Sequence, residues 1–358
     1  MWQKEFLKKS DGLRESLGYQ NYLRYRPLIG AMIDEMFVKS SSASRYWQEE
    51  IAGFEYLFDA SPVLIDAFRQ HCYHLTGIHS YAYRDHHARL KNKIAQKLSM
   101  FGKEKGAAGL CVPESAMLGG FGYEIKGQRY NADTLKYYEN LIALNKYGVL
   151  DKLRQCSDRK VVLEIGGGWG GLAYQFKTLF PKITYVIVDL PFTLLFSSIY
   201  LSTVFPRAKI LMYEKDTILE KMKDIAGIDF IFLPHYFFDD IKMKDIFLAM
   251  NTSSFQEMTT EQVRNYVHGL AGMGCEWIYS YNRDVSPNND EISSVSSILG
   301  ECYDLRPIEF DYHFNARHPL LSYMKRLSYQ VKRKFIVSAE SERLEYKHLL
   351  GTLKTAKR

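Results

Sequence analysis

The sequence predicts an α/β fold in which a doubly wound, mainly parallel sheet of seven strands follows a mainly helical region. Up to about residue 150, apolar residues recur at helical spacing, as in 44–79 and 134–153. Beyond this point, short apolar runs alternate with helical segments, which is typical of a parallel sheet with helices on both faces. We therefore expect a helical substrate, lid or oligomerisation region in 1–150 and a sheet domain in 151–358.

The strands are predicted from short runs of β-branched and aromatic residues. Five such runs form the predicted sheet: 161–165, 184–188, 208–213, 229–233 and 276–281. Two later runs, 305–312 and 334–339, are predicted to complete it. In the helical region, Asn131 or Asp133 is a suitable N-cap for the second helical stretch, and the glycine-rich segment 119–130 predicts a turn and a short hairpin.

The amino-acid composition and the net charge limit the classes of protein to which the chain can belong. Hydrophobic residues make up 46% and charged residues 25% of the chain, which is a globular composition. The net charge of +6 is modest and no nucleic-acid-binding motif accompanies it, so we do not expect a nucleic-acid partner. The five cysteines form no CxxC pair, and the longest apolar stretch, 192–205, is too short to cross a membrane. We expect a cytoplasmic protein without stable membrane insertion, and the aromatic-rich helical region is compatible with a homodimer.

The strongest chemical signal is the run VVLEIGGGWGGLAYQF at 161–176. A predicted strand leads into Gly166, Gly168 and Gly170 and then into a helix. Glycine allows a sharp turn and a close backbone approach to a ligand, and the N–H groups at the helix start point towards that ligand. A glycine-rich turn alone is compatible with NAD, FAD or S-adenosylmethionine, or with a tight turn that binds nothing.

Three further features favour S-adenosylmethionine. Glu164 immediately precedes the glycines, where the NAD fingerprint normally has no acid. Asp189 follows the second predicted strand, 19 residues after Gly170, where a carboxylate can accept hydrogen bonds from both ribose hydroxyls. The glycines at 166, 168 and 170 have the spacing G-x-G-x-G rather than G-x-G-x-x-G.

Together with VDLP at 188–191, FLPHYF at 232–237 and NTSSFQEMT at 251–259, this run resembles the bacterial sugar O-methyltransferases over about residues 110–315. These are class I S-adenosylmethionine-dependent enzymes associated with polysaccharide biosynthesis. The resemblance implies a Rossmann-like methyltransferase fold, S-adenosylmethionine as cofactor and S-adenosylhomocysteine as product. It also implies a sugar hydroxyl of a glycan precursor or glycosylated metabolite as acceptor.

The resemblance also implies roles for individual residues. Gly166, Gly168 and Gly170 would line the methionine and ribose part of the cofactor, with Glu164 orienting the loop towards the amino group. Asp189 would hold the ribose, and Asp216, after the third predicted strand, would lie near the adenine amine. Gln256 and Glu257 are candidates for contact with the acceptor.

Methylation of a hydroxyl needs a group that removes its proton, and histidine suits this role near neutral pH. His235 is the first candidate, because it follows the predicted fourth strand, where the sheet would face the transferable methyl group. The alternative is a histidine packed among the aromatic residues that follow it. His313, with Asp311 as its partner, is the second candidate.

Metal assistance is the rival mechanism. Mg²⁺ could be held by Asp239, Asp240 and Asp284, but the first two are more simply explained as a helix N-cap, so we do not favour a metal. The histidines at 71, 74, 79, 86 and 87 are expected to be surface or interface residues. The basic residues at 325, 326 and 332–334 are interpreted as a solvated helix face, with contact to an anionic substrate as the alternative.

Other functions remain open from the sequence. The chain could methylate a small molecule that is not a sugar, or bind S-adenosylmethionine without catalysis. Methylation of bases or protein is disfavoured, because Leu233–Tyr236 lacks the acid or Asn followed by Pro-Pro-aromatic that is common in such enzymes. An NAD-dependent oxidoreductase would be distinguished by binding nicotinamide rather than S-adenosyl compounds.

Overall fold

The computed structural model describes residues 2–39, 43–84, 87–310 and 344–354. Within them, the first part of the chain is helical, apart from an antiparallel hairpin of β1 (Tyr123–Ile125) and β2 (Gln128–Tyr130). Its helices are α1 (Trp2–Leu13), α2 (Leu17–Val38), α3 (Arg45–Ile51), α4 (Pro62–Asp66), α5 (Phe68–His71), α6 (Tyr73–Thr76), α7 (Ala88–Phe101), α8 (Ala132–Lys146) and α9 (Val149–Gln155). Short 3₁₀ helices span Glu55–Asp59, Ser80–Tyr83 and Met117–Gly119.

The second part of the chain alternates strands and helices. Its strands are β3 (Val161–Ile165), β4 (Thr184–Asp189), β5 (Ile210–Met212), β6 (Phe230–Pro234), β7 (Ile246–Thr252), β8 (Trp277–Asn282), β9 (Tyr303–Pro307) and β10 (Lys347–Leu353). Its helices are α10 (Gly171–Leu179), α11 (Pro191–Val204), α12 (Ile218–Lys221), α13 (Thr260–Gly272) and α14 (Val295–Cys302), with 3₁₀ turns at His235–Asp240 and Phe255–Glu257.

The α/β fold with a doubly wound, mainly parallel sheet is confirmed. The eight strands lie in the order β5-β6-β4-β3-β7-β8-β10-β9, and only β10 runs antiparallel to its neighbours. The chain moves outward from β3 in one direction and returns on the other side through β7, so the topological switch point lies between β3 and β7. Because such crossovers are nearly always right-handed, we expect the helices of the two halves to lie on opposite faces of the sheet.

Two strands of the sheet were not predicted. The run 246–252 (IFLAMNT) contains Leu, Ala and Met, which favour helices, yet it forms the central strand β7 because it is buried between β3 and β8. The last strand, β10, contains Gly351, where a Cβ atom would lie 2.6 Å from Ile278 Cγ2 and 2.8 Å from Tyr303 Cβ. Close packing therefore explains a glycine that looks like a strand breaker in sequence. The predicted strand 334–339 lies outside the described residues.

The long predicted helices are interrupted where the local sequence requires it. The stretch 44–79 divides into several short helices, one of which begins at Pro62 with Ser61 as its N-cap. The stretch 134–153 divides into α8 and α9 at Gly148, whose φ of +73° is unfavourable for other residues. At the start of α8, the predicted cap is Asn131, whose side chain accepts a hydrogen bond from the Thr134 N–H at 2.9 Å.

One apolar core joins the helical region to the sheet domain. Helix α2 packs along α11, and α8 packs against α10. Across the first contact, the Asn21 amide donates a hydrogen bond to Thr203 Oγ1 at 3.1 Å, and both residues are buried. The boundary near residue 150 remains a prediction, but the helices before it are packed directly onto the helices that cover the sheet. Among the described residues, no helix is long and apolar enough to cross a membrane.

A buried ion pair network fixes this packing next to the glycine-rich loop. Arg69 is fully buried, with Nε 2.8 Å from Glu114 Oε1 and Nη2 3.0 Å from Asp133 Oδ2. Its guanidinium also lies 3.7 Å from the ring centroid of Trp169, which stands between Gly168 and Gly170. The arginine thus joins α5, the segment before β1, and α8 to the loop that follows β3.

We predict that Arg69→Met will lower the free energy of unfolding by about 3–5 kcal/mol, because it leaves two buried carboxylates without their cation. Urea unfolding followed by circular dichroism measures this change. The matched control is Arg264→Met, which breaks an exposed pair with Glu301 and should cost no more than about 1 kcal/mol. Equal losses in the two variants would contradict a structural role for the buried network.

Candidate functional site

The glycine-rich loop has the backbone shape that its sequence requires. Gly166, Gly168 and Gly170 have φ values of +71°, +55° and +84°, a region that other residues rarely adopt. A Cβ atom on Gly166 would overlap the side chain of Ser254, whereas a Cβ atom on Gly168 would point into open space. The main chain is therefore packed against β7's end at the first glycine and accessible to a ligand at the second.

Asp189 connects the end of β4 to this loop. Its Oδ2 accepts a hydrogen bond from the Gly168 N–H at 2.8 Å, and its Oδ1 accepts one from the Leu190 N–H at 2.7 Å. Burial raises the pKa of Asp189 to about 6, although these hydrogen bonds and one with Thr193 favour the charged form. Each oxygen still has a lone pair directed away from its amide donor, so the carboxylate can accept further hydrogen bonds.

Glu164 is almost completely buried beneath the loop. It is 2% exposed, and its Oε2 accepts a hydrogen bond from the Tyr185 hydroxyl at 2.8 Å. Burial raises its pKa to about 8, and the charge of Asp189 adds to this effect, while Tyr185 and Lys136 oppose it. At neutral pH the carboxyl group is therefore largely protonated in the structure described here.

A narrow cleft opens beside Gly166 and Asp189. Its walls come from the loop, the ends of β4 and β6, the segment after β7, and the N-terminal region. The lining residues are Ala43, Ser44, Trp47, Gly166, Val188, Asp189, Leu190, His235, Ser254, Met258, Gln262 and Tyr266. The N-terminal wall is attached to the sheet domain, because Ser44 Oγ donates a hydrogen bond to the Glu257 carbonyl at 2.6 Å. The helical region thus closes one side of the cleft.

His235 lies in this cleft, directly after β6, which is the run predicted as the fourth strand. β6 pairs with β4, with Pro234 opposite Asp189, while β7 lies beside β3. His235 is therefore two strands from β3, about 10 Å at the usual strand spacing. It lies beside Asp189 rather than at the switch point.

The remaining predicted cofactor and base residues are not brought into the cleft. Asp216 is exposed in the loop after β5, and β6 separates that edge strand from β4. It is absent from the cleft lining, so contact with an adenine group remains only a prediction. His313 and its suggested partner Asp311 lie outside the described residues, as do the basic residues at 325, 326 and 332–334.

The carboxylates considered for Mg²⁺ lie far apart. Asp239 and Asp240 end the 3₁₀ turn after β6, which corrects the expectation that they begin a helix. Asp284 follows β8, and three strands separate β6 from β8. It is paired with Lys347 at 2.6 Å. Within residues 2–39, 43–84, 87–310 and 344–354, no group of three potential metal ligands is found.

Sequence reasoning missed the polar residues at the end of β7. Asn251 is buried, its Nδ2 donates to the Ile165 carbonyl at 2.8 Å, and its Oδ1 accepts from the Phe255 N–H at 2.9 Å. It holds the segment containing Ser254 against the first glycine. Recognition of 246–252 as a strand would have revealed this, because NTSS then falls at the carboxyl end of the strand beside β3.

Trp47 and Tyr266 were also missed. Both come from helices, α3 and α13, whose sequence patterns do not indicate a position at the cleft. Two tyrosines of the hairpin donate their hydroxyl hydrogen bonds within the chain. Tyr123 is buried and its hydroxyl donates to the Ala82 carbonyl at 2.8 Å, while the Tyr130 hydroxyl donates to Gln128 at 2.7 Å.

In comparisons with known proteins, this chain is similar to solved structures in its fold alone. No protein family matches the chain, and no similar curated protein is found. Among solved structures, the chain is similar to Haemonchus contortus phosphoethanolamine N-methyltransferase 2 in complex with S-adenosyl-L-methionine, at 12% identity and a TM-score of 0.33. The similarity covers 59% of this chain and 52% of that one, so the chain spans about half the length of that structure.

Two further structures show similarity of the same kind. Magnesium protoporphyrin IX methyltransferase from Synechocystis PCC 6803 with bound cofactor has 8% identity and a TM-score of 0.33, with 61% of this chain and 84% of that chain covered. WbdD has 12% identity and a TM-score of 0.37, with 60% and 39% covered.

The buried carboxyl of Glu164 predicts a pH-dependent stability. The folded chain keeps most of this proton at pH 6.5 and loses it as the pH approaches the folded pKa of about 8, whereas the unfolded chain, with a pKa near 4.5, has already lost it. The free energy of unfolding should therefore fall as pH rises, by at most about 1.4 kcal/mol per pH unit from this group. Glu164→Gln cannot titrate and should remove this contribution.

The comparison is made by urea unfolding of both proteins at several pH values in that range. Glu220→Gln, at an exposed position paired with Lys223, serves as the control and should keep the wild-type slope. Parallel curves for wild type and Glu164→Gln would show that Glu164 is already ionised in the folded chain.

Proposed function

We propose that this chain is an S-adenosylmethionine-dependent methyltransferase that acts on a sugar hydroxyl. The observation that carries the proposal is the placement of Asp189, whose carboxylate is held by the Gly168 and Leu190 N–H groups beside the accessible face of the glycine-rich loop. This arrangement lies at the carboxyl ends of the strands next to the switch point, where doubly wound sheets bind their ligands.

The residues present fit this cofactor. The open space in front of Gly168 admits a ligand close to the main chain. Asp189 would accept hydrogen bonds from the ribose hydroxyls, and Glu164 would face the amino group of the methionine part. His235 and Trp47, which line the same cleft, would contact the adenine end. Asp216 is a weaker candidate for the adenine amine, because it is exposed on the edge strand's loop.

The protonation state of Glu164 affects how this residue can bind the amino group of the cofactor. A buried, protonated carboxyl is suited to gain a cation, since an ammonium group beside it favours the ionised form. Lys136 lies close enough to influence the pKa of Glu164, so the environment already contains one positive charge. Binding of a cationic group at Glu164 would therefore be accompanied by release of its proton.

Other cofactors fit less well. A dinucleotide-binding loop has the G-x-G-x-x-G spacing and usually no buried acid immediately before it. Here Glu164 occupies that position and the spacing is G-x-G-x-G. The sheet also departs from the six-stranded dinucleotide-binding order, since an antiparallel strand, β10, lies between β8 and β9. These features together favour an S-adenosyl compound over NAD.

When bound, S-adenosylmethionine would supply an electrophilic methyl group. The chain must then place an acceptor oxygen in line with it and accept the proton of the hydroxyl. The acceptor would enter at the ends of β7 and β8, on the side of the switch point that the proposed cofactor does not occupy. His235 is on the opposite side, beyond β4, so we now favour a cofactor contact for it over the role of general base. His313 remains the second candidate for the base.

The sugar is proposed from the resemblance carried by VDLP, FLPHYF and NTSSFQEMT, and the acceptor would be a glycan precursor or a glycosylated metabolite. The test is incubation with S-adenosylmethionine labelled in its methyl group and a panel of neutral sugars, sugar phosphates and nucleotide sugars. We expect label in one acceptor class with wild type and loss of transfer in Asp189→Ala. Binding of the cofactor by wild type with no labelled product in any class would support a non-catalytic binding module instead.

His235→Ala separates the two roles of this histidine. As a cofactor contact, its loss should weaken S-adenosylhomocysteine binding by about tenfold, or ~1.4 kcal/mol, and leave kcat at saturating cofactor within about twofold. As a general base, its loss should instead reduce kcat by about 10²–10⁴-fold with unchanged cofactor affinity. Calorimetric titration and initial rates, measured on the same preparations, distinguish the two results.

A further inference from the structure

An arginine and two tyrosines form a cluster at the carboxyl end of β8 that the cofactor site does not use. The cluster, called here the Arg283 cluster, consists of Arg283, Tyr346, Tyr281 and Gln256. The Arg283 guanidinium lies 4.7 Å from the ring centroid of Tyr346. Tyr281 stacks on Tyr346 with ring centroids 4.9 Å apart and planes 26° from parallel. The arginine therefore rests on Tyr346, and the stack with Tyr281 holds that ring in place, a pair of rings called here the platform.

Gln256 fixes the geometry of this platform. Its Oε1 accepts a hydrogen bond from the Arg283 N–H at 2.9 Å, and its Nε2 donates to the Tyr346 hydroxyl at 3.0 Å. Gln256 is itself only 2% exposed. A buried amide that joins the main chain of one member to the side chain of another pre-organises the cluster before any ligand arrives.

The charge of Arg283 is not balanced within the described residues. No carboxylate among them forms an ion pair with it, and its Nε is buried without a hydrogen-bond partner there. The neighbouring acid, Asp284, is already occupied by Lys347 at 2.6 Å and by the Ser296 N–H at 2.9 Å. A buried donor with no acceptor is costly, and a bidentate anion is the partner that a guanidinium prefers.

The cluster is next to the proposed cofactor cleft. Gln256 stands in the same short segment as Ser254 and Met258, which both line the cleft. The main chain of this segment is bonded to β8, because the Ser253 N–H donates to the Tyr281 carbonyl at 2.8 Å. The cluster therefore lies on the β7–β8 side of the switch point, opposite to His235, where an acceptor would have to enter.

We propose that the Arg283 cluster binds an anionic group of the acceptor, a phosphate or a carboxylate. Its role as an acceptor subsite rests on the proposed methyltransferase function, whereas anion binding by the cluster does not. A planar guanidinium matches both oxyanions in bidentate fashion.

The test is calorimetric titration of the full chain with three probes: uridine diphosphate glucose, glucuronate and glucose. Wild type should bind at least one of the two anionic probes, and Arg283→Gln should bind that probe about tenfold more weakly or worse. Arg283→Lys, which keeps the charge and loses the fork, should fall between them. Loss confined to the diphosphate probe identifies phosphate as the ligand, and loss confined to glucuronate identifies carboxylate.

Arg264→Gln is the matched control, because it removes the same charge from an exposed position paired with Glu301 and should bind as wild type does. S-adenosylhomocysteine is titrated into every variant to show that Arg283→Gln keeps the cofactor site. Failure of S-adenosylhomocysteine to bind wild type would count against the proposed function and not against the anion site. Equal binding of the anionic probes by wild type and Arg283→Gln, or binding of neither probe by wild type, would overturn the anion site.

Discussion

The site depends above all on the two main-chain hydrogen bonds that hold the Asp189 carboxylate. The donors are the N–H groups of Gly168 and Leu190, so the acid, the loop and the start of α11 form one unit. The loop can supply its donor only because Gly166, Gly168 and Gly170 adopt positive φ values. On its other side, the first glycine is packed against Ser254, which Asn251 holds in place at the end of β7. The two strands that flank the switch point are thereby joined by the loop itself.

The helical N-terminal region packs directly against the glycine-rich loop and forms part of the cleft. Arg69 lies on Trp169, within the glycine-rich loop, and is held by two buried carboxylates. At the β5 edge of the sheet, Glu35 of α2 accepts a hydrogen bond from the Tyr213 hydroxyl at 3.0 Å. Helix α3 then brings Trp47 to the cleft. Any change in how these helices pack is therefore expected to alter the cleft, which gives a physical basis for the proposed role of this region in substrate selection or closure.

Much of the fold could be predicted from the sequence, because β-branched runs such as 161–165 and 184–188 are buried on both faces and alternate with helices. The glycine spacing and Asp189 likewise follow from local chemistry, and the structure brings Glu164, Gly166 and Asp189 together. Strand order is not a local property. The run 246–252 mixes strand formers with Leu, Ala and Met, and it becomes a strand through its neighbours β3 and β8. Without it, the sequence could not show that β6 and His235 lie beyond β4. The Arg283 cluster was likewise beyond the reach of sequence, since three different segments contribute to it.

The central claim is that the glycine-rich loop and Asp189 bind an S-adenosyl compound. Calorimetric titration with S-adenosylmethionine, S-adenosylhomocysteine and NAD, on wild type and Asp189→Ala, tests it most directly. We expect micromolar binding of both S-adenosyl ligands to wild type, about −7 to −8 kcal/mol, and a loss of about tenfold or more in the variant. Binding of NAD, with no binding of either S-adenosyl compound, would contradict the assignment of the loop and of the function built on it.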